Sequence, residues 1–149
     1  MSLFDPNTFL DTSVDAVFET KFVPIPEDWY RATITDLKAQ TGSKDGKHWV
    51  RLEPIWQIEG EDELAKKLAR TEMLVKQSFF VDLTEEGAFA VGTNQNLQLG
   101  QLCDAVGQNK PGPWKPANLL GRSAKIYVSV KSSEKTGREY NEVTKVAKA

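Results

Sequence analysis

Lys125, Tyr127, Ser129 and Lys131 alternate with Ala124, Ile126, Val128 and Val130 late in the chain. Alternation at period two marks a half-buried strand, so the apolar set faces a core and the Lys-Tyr-Ser-Lys set faces water. A polar turn at Ser132–Gly137 then returns the chain as a second strand bearing Arg138, Tyr140 and Lys145. Rings interleaved with cations on the wet face of a hairpin suit an extended strand of nucleic acid, because bases stack on the rings and phosphates meet the cations. The competing reading is an ordinary solvated hairpin in which Tyr127 and Tyr140 pair across the strands.

Other chemistry finds little material. His48 and Cys103 are the single residues of their types, too few for a His/Cys zinc site of three or four ligands. Gly42, Gly46, Gly87, Gly92 and Gly137 are scattered through turn contexts and form no phosphate-cradling loop, and there is no Gly-x-Ser-x-Gly elbow. Glu61-Asp62-Glu63 and Glu85-Glu86 read as helix starts or solvated loops; a carboxylate-only magnesium site is the alternative reading. The expectation is a protein with no catalytic residue, no cofactor and no metal.

The chain must position the hairpin with ordinary means. Its 149 residues suffice for one sizeable core. No apolar run approaches the roughly 18 residues of a membrane span, and the N-terminus lacks the cationic and apolar regions of a secretory signal. A lone cysteine fits a reducing compartment, so the expected location is the cytoplasm, with no membrane partner. Net charge is −2, but it is unevenly spread. Residues 1–28 carry six acids against Lys21, whereas residues 115–149 carry eight bases against three acids. A local field can therefore be positive on a molecule that is negative overall.

Residues 1–28 read as an N-terminal arm: Asp5-Pro6-Asn7-Thr8 signals a turn, and Pro24 and Pro26 enforce an extended path. Phe4, Phe9, Leu10, Val14, Val17, Phe18, Phe22 and Val23 are too apolar for a disordered tail. They are expected to pack on the arm's own domain, or else on a neighbouring subunit in a homo-oligomer. Residues 29–149 form the domain. Trp29 to Leu37 alternates as a first strand, with Trp29, Arg31 and Thr33 on the face opposite Tyr30, Ala32 and Ile34. Thr41–Lys47 is a hairpin loop, and His48–Glu59 is a second strand in which Pro54 marks an edge or a bulge. Glu61–Arg70 is a short helix and Met73–Leu83 a third strand. Asn96 caps a helix over which Leu97, Leu99, Leu102, Cys103 and Val106 form an apolar stripe, and which stops at Gly107. The expected fold class is mainly β with one or two short helices. Five strands, with a helix between the third and the last two, fit an OB-fold-like barrel with an N-terminal extended arm; a β-sandwich or a jelly-roll fragment is the alternative.

On such a barrel the binding groove takes outward residues of the second and third strands and of the last hairpin. The candidates are Trp49, Arg51, Lys76, Phe80, Tyr127, Lys131, Arg138 and Tyr140, with Lys38, Lys44, Lys47, Arg122 and Lys125 along the path. Trp49 belongs to the core instead if the register slips by one residue. Trp56 and Phe79 are assigned to the core, and Trp114 to the core or to a proline-packed loop.

Several of these segments, in this order, resemble the small OB-fold single-stranded DNA-binding proteins of bacteriophages. They are Asp5-Pro6-Asn7-Thr8-Phe9-Leu10, Pro24-Ile25-Pro26-Glu27-Asp28-Trp29-Tyr30-Arg31-Ala32, the Leu97–Gly107 helix, Leu120-Gly121-Arg122 and Thr136-Gly137-Arg138-Glu139-Tyr140-Asn141. The resemblance implies protection of single-stranded DNA during phage replication or recombination, with little sequence preference. It also implies contact with replication or recombination proteins in a host cytoplasm. The alternative function is a β-rich protein–protein interaction module or a virion-associated structural protein. Bacterial proteins of like function end in an acidic tail, whereas this sequence ends Lys145-Val146-Ala147-Lys148-Ala149, so recruitment through such a tail is not expected.

Overall fold

The computed structural model describes residues 5–149. Its first long strand, β1 (Asp28–Lys44), buries Tyr30, Ala32 and Ile34 and then shifts register between Ile34 and Asp36. Such a bulge bends a strand. β1 runs directly into β2 (Lys47–Ile58) through Asp45 and Gly46, whose φ values are +54° and +78°. Two residues in the left-handed region make the turn that matches strand twist, so the hairpin loop expected over Thr41–Lys47 shrinks to Asp-Gly.

The expected third strand appears as β3 (Leu74–Lys76) and β4 (Phe79–Val81), both paired to β2 in one continuous register. Pro54 lies opposite the gap and is fully buried. Gln77 N–H donates to the Pro54 carbonyl at 2.9 Å. Proline has no N–H to return the second bond of that antiparallel pair, and there the ladder breaks. Pro54 thus sits mid-sheet rather than at an edge, and the bulge lies in β1. β5 (Ser123–Ser132) and β6 (Glu139–Ala147) form the final hairpin, closed by Ser133 N–H to Arg138 O at 2.9 Å.

Five strands form a ring in the order β1–β2–β3–β6–β5–β1. All neighbours are antiparallel except β3 and β6, which meet in parallel at Lys76 and Glu142. Inside lie Ile34, Leu52, Trp56, Val75, Phe79, Ile126 and Val128. Trp56 Nε1 donates to Gln77 Oε1 at 3.0 Å, satisfying both polar groups within the core.

Three short helices among the described residues, one more than the upper expectation, accompany the strands: α1 (Pro6–Leu10), α2 (Asp62–Lys67) and α3 (Leu97–Ala105). α3 buries Leu99, Leu102, Cys103 and Ala105 beside β6 and β4. Asn96 stands at its N-terminus but does not cap it. Its side chain accepts from Asp82 N–H at 2.7 Å and donates to the Asp82 and Ala90 carbonyls, tying α3 to the segment after β4. Gly107, at φ +73°, ends the helical path as expected.

Residues 5–23 are largely exposed. Asp5 caps α1, where a turn was expected. Ile25 is fully buried, and its backbone N–H and C=O both pair with the Asn141 side chain. Upstream, Leu10, Val17 and Phe18 are 79%, 96% and 76% exposed, and Phe9, Val14, Phe22 and Val23 are exposed as well. Phe4 lies outside the described residues. No described helix is long and apolar enough to cross a membrane.

Candidate nucleic-acid interface

The outward face of the β1–β2 hairpin carries a compact aromatic and cationic patch. Gly42 lies directly across from Trp49 and leaves room for the indole: a Cβ on Gly42 would stand 2.4 Å from Trp49 Cζ2. Trp49 is therefore on the outer face and half-buried, the parity expected for it. Phe80 of β4, 62% exposed, meets Trp49 edge to face at 5.8 Å between ring centres and 82° between planes. Phe79, one residue away, is core. The two rings make a corner with an open apolar wall.

Cations surround this corner. Lys44 and Lys47 are cross-strand neighbours beside the Asp-Gly turn, and Lys38 lies across from Glu53. All three are exposed. Arg51, across from Phe80, is held differently. Its guanidinium bonds to Gln40 Oε1, and its Nε lies 3.1 Å from Oε1 of the buried Glu53. Arg51 is oriented by these partners and its charge is largely balanced. Beside it, Lys38, Lys44 and Lys47 form no ion pair among the described residues.

The residues of the last hairpin lie elsewhere. Tyr127 is across from Trp29 of β1 on one side and Lys145 of β6 on the other. Trp29 meets it edge to face at 5.5 Å, and Lys145 Nζ sits 5.5 Å from its ring centre. Tyr127 therefore pairs with Trp29, not with Tyr140. Lys125 pairs across the ladder with Arg31, whose Nε is 3.7 Å from Glu59. Further along, Lys131 is across from Tyr140 and 3.2 Å from Glu142, the residue that also meets Lys76. Arg138 lines a cleft of about 720 Å³ with Lys21, Phe22 and Val23 of the arm. Arg122 sits at the middle of β1, where its carbonyl accepts from Ile34 N–H at 2.9 Å.

The single groove expected from the sequence is thus resolved into parts. Trp49, Phe80, Arg51, Lys38, Lys44 and Lys47 come together at one end of β1; Tyr127 and Lys125 come together at the other. Lys76, Lys131 and Tyr140 gather around Glu142. Sequence reasoning omitted Trp29, Arg31 and Lys145 from the site, although the outward parity of Trp29 and Arg31 was legible. Partners of Tyr127 are set by strand pairing over nearly a hundred residues, which no local pattern records. Among the described residues, no group of three or more His, Cys, Asp or Glu could hold a metal ion. Compared with known proteins, the chain matches no protein-family model and no curated protein.

Proposed function

We propose that this protein binds single-stranded DNA without sequence preference, on an OB-fold scaffold. The observation that carries the reading is the exposed Trp49–Phe80 corner ringed by Lys38, Lys44 and Lys47. Trp49 lies on β2, the second strand of the ring, and Phe80 on β4, which continues the register of β3 along β2, beside the turn joining β1 and β2. Oligonucleotide-binding barrels of five strands use the face of their second and third strands and the loop joining the first two. The helix α3 between the third and fourth ring strands agrees with the same scaffold. Rings of this kind accept any base, and each stacked base contributes roughly 1–3 kcal/mol. Protection of transient single strands in phage replication or recombination, in contact with proteins of those processes in a host cytoplasm, is the role we infer from the sequence resemblance.

The test is a tryptophan-fluorescence titration with oligothymidine across salt concentrations. Engagement of three lysines gives a slope of log affinity against log salt of about −2. Trp49→Ala is expected to weaken binding roughly fivefold or more while leaving the protein folded. Absence of quenching at low salt, in a folded protein, would overturn the reading.

A second reading, a protein–protein interaction or virion-associated domain, draws on the exposed apolar residues of the arm. It predicts a stable assembly without nucleic acid and no response to oligothymidine. Both readings accommodate a homo-oligomer built through the arm.

A further inference from the structure

The outer surface of β1 joins two aromatic and cationic patches that the fold holds apart. One is the Trp49–Phe80 corner, which reaches β1 at Gly42; the other is the Trp29–Tyr127–Lys145 stack, which reaches β1 at Trp29 itself. These positions are thirteen residue steps apart along the strand, about 40 Å of path if it were straight, shortened by the bend at the bulge. A single base stack cannot serve both.

We infer that the Trp29–Tyr127–Lys145 stack is a second contact site for the same single strand, and that the strand runs along the outside of β1 from one patch to the other. The inference rests on the single-strand-binding reading and extends it. Trp29 is 43% exposed although it is packed against Tyr127. An indole that served the hairpin alone would need only the covered edge. Lys145 occupies the far side of the Tyr127 ring, so the open aromatic surface belongs to Trp29. Lys125 is exposed beside it and forms no ion pair among the described residues, while Arg31 is shared with Glu59. Asp28 is occupied by the Trp29 backbone N–H at 2.7 Å, and Glu27 by Val130 N–H. At the bend between the patches the outward positions of β1 are Thr33 and Asp36; Arg122, in register with the buried Ile34, has the inward parity and lies off this path. The ligand class is therefore a flexible polyanion with stackable bases, long enough to span both patches. A rigid duplex, whose bases are already stacked, cannot offer a ring to either patch.

The experiment measures anisotropy of labelled oligothymidines of roughly 4 and roughly 16 nucleotides, the ends of the range of site sizes for such folds. It uses the full chain and the Trp29→Leu, Lys145→Gln and Trp49→Leu variants, with thermal melts to establish folding. The wild type is expected to gain affinity steeply with length. Trp29→Leu is expected to abolish at least about fivefold of that gain, and Lys145→Gln, an exposed change with little bearing on folding, to reduce it in the same direction. Trp49→Leu is expected to weaken the long oligomer as well. Full length-dependence in folded Trp29→Leu and Lys145→Gln, with loss only in Trp49→Leu, would overturn the second site and leave the single-strand reading standing. Loss only in Trp29→Leu would overturn the two-site path by reducing it to one patch. No loss in any variant would overturn both patches as contact sites and leave single-strand binding standing; no binding by the wild type would overturn the single-strand reading itself.

Discussion

Phe80 and Cys103 show how different surroundings assign different work to apolar side chains. Phe80 keeps most of its ring in water beside Trp49, so truncating it removes a stacking surface and little of the core. Phe80→Ala is expected to reduce affinity for oligothymidine roughly fivefold or more with only a small change in melting temperature; an unchanged affinity counts against the corner as a stacking site. Cys103 is buried on α3, where desolvation, and then Asp104 beside it, push the thiol from its ordinary 9.0 up to about 11. The unfolded thiol ionises first, so its contribution to stability is complete below about pH 9. That contribution is lost as pH rises from 9 to 11. Melting temperatures across that window are expected to fall less steeply in Cys103→Ala than in the wild type. Parallel curves would show that the thiol is not the cause.

At the scale of the elements, the β1–β2 hairpin makes the candidate site by combining one tight turn with one missing side chain. Gly42 is needed for space rather than for an unusual φ: its Cβ would overlap the Trp49 ring at 2.4 Å. Gly42→Ala must therefore lift the indole off β1. The expected result is a several-fold loss of single-strand affinity together with a red-shifted tryptophan emission, since a displaced indole meets more water. Unchanged emission and affinity would show that the ring's seat on Gly42 is unimportant. The hairpin was visible in Asp45-Gly46 and in the alternation around it. The break between β3 and β4 was visible only as a warning at Pro54. Its placement in the third strand rather than the second depends on which neighbour Pro54 faces, a fact of sheet order.

For the whole molecule, the acidic N-terminal stretch and the basic C-terminal hairpin belong to one chain, and the apolar residues of the first remain uncovered. Large contiguous apolar exposure is uncommon on monomers, and an acidic apolar arm is complementary in charge to the basic end of a second copy. Ile25, pinned to Asn141, marks where the arm leaves the domain. Deleting residues 1–22 is expected to lower the oligomeric mass seen by light scattering, with the domain's melting temperature nearly unchanged. Unaltered mass would remove the arm from the assembly, and a large loss of melting temperature would show that it packs on its own domain after all.

Local patterns of side-chain type determined much on their own. Alternation set Tyr30, Ala32 and Ile34 on one face of the first strand, and assigned Trp56, Phe79, Ile126 and Val128 to the inside and Trp49, Phe80 and Tyr127 to the outside, because a strand's two faces differ by one residue and only one face is buried. Turn residues marked both hairpins. The tertiary structure decided which outward residues are neighbours. It divided one expected groove between the two ends of β1, brought Trp29 to Tyr127, and set Glu53 and Gln40 against Arg51. Contacts of that kind join residues far apart in sequence through strand order and register, and the energy that selects them is the burial of the shared core, to which the outward side chains contribute almost nothing.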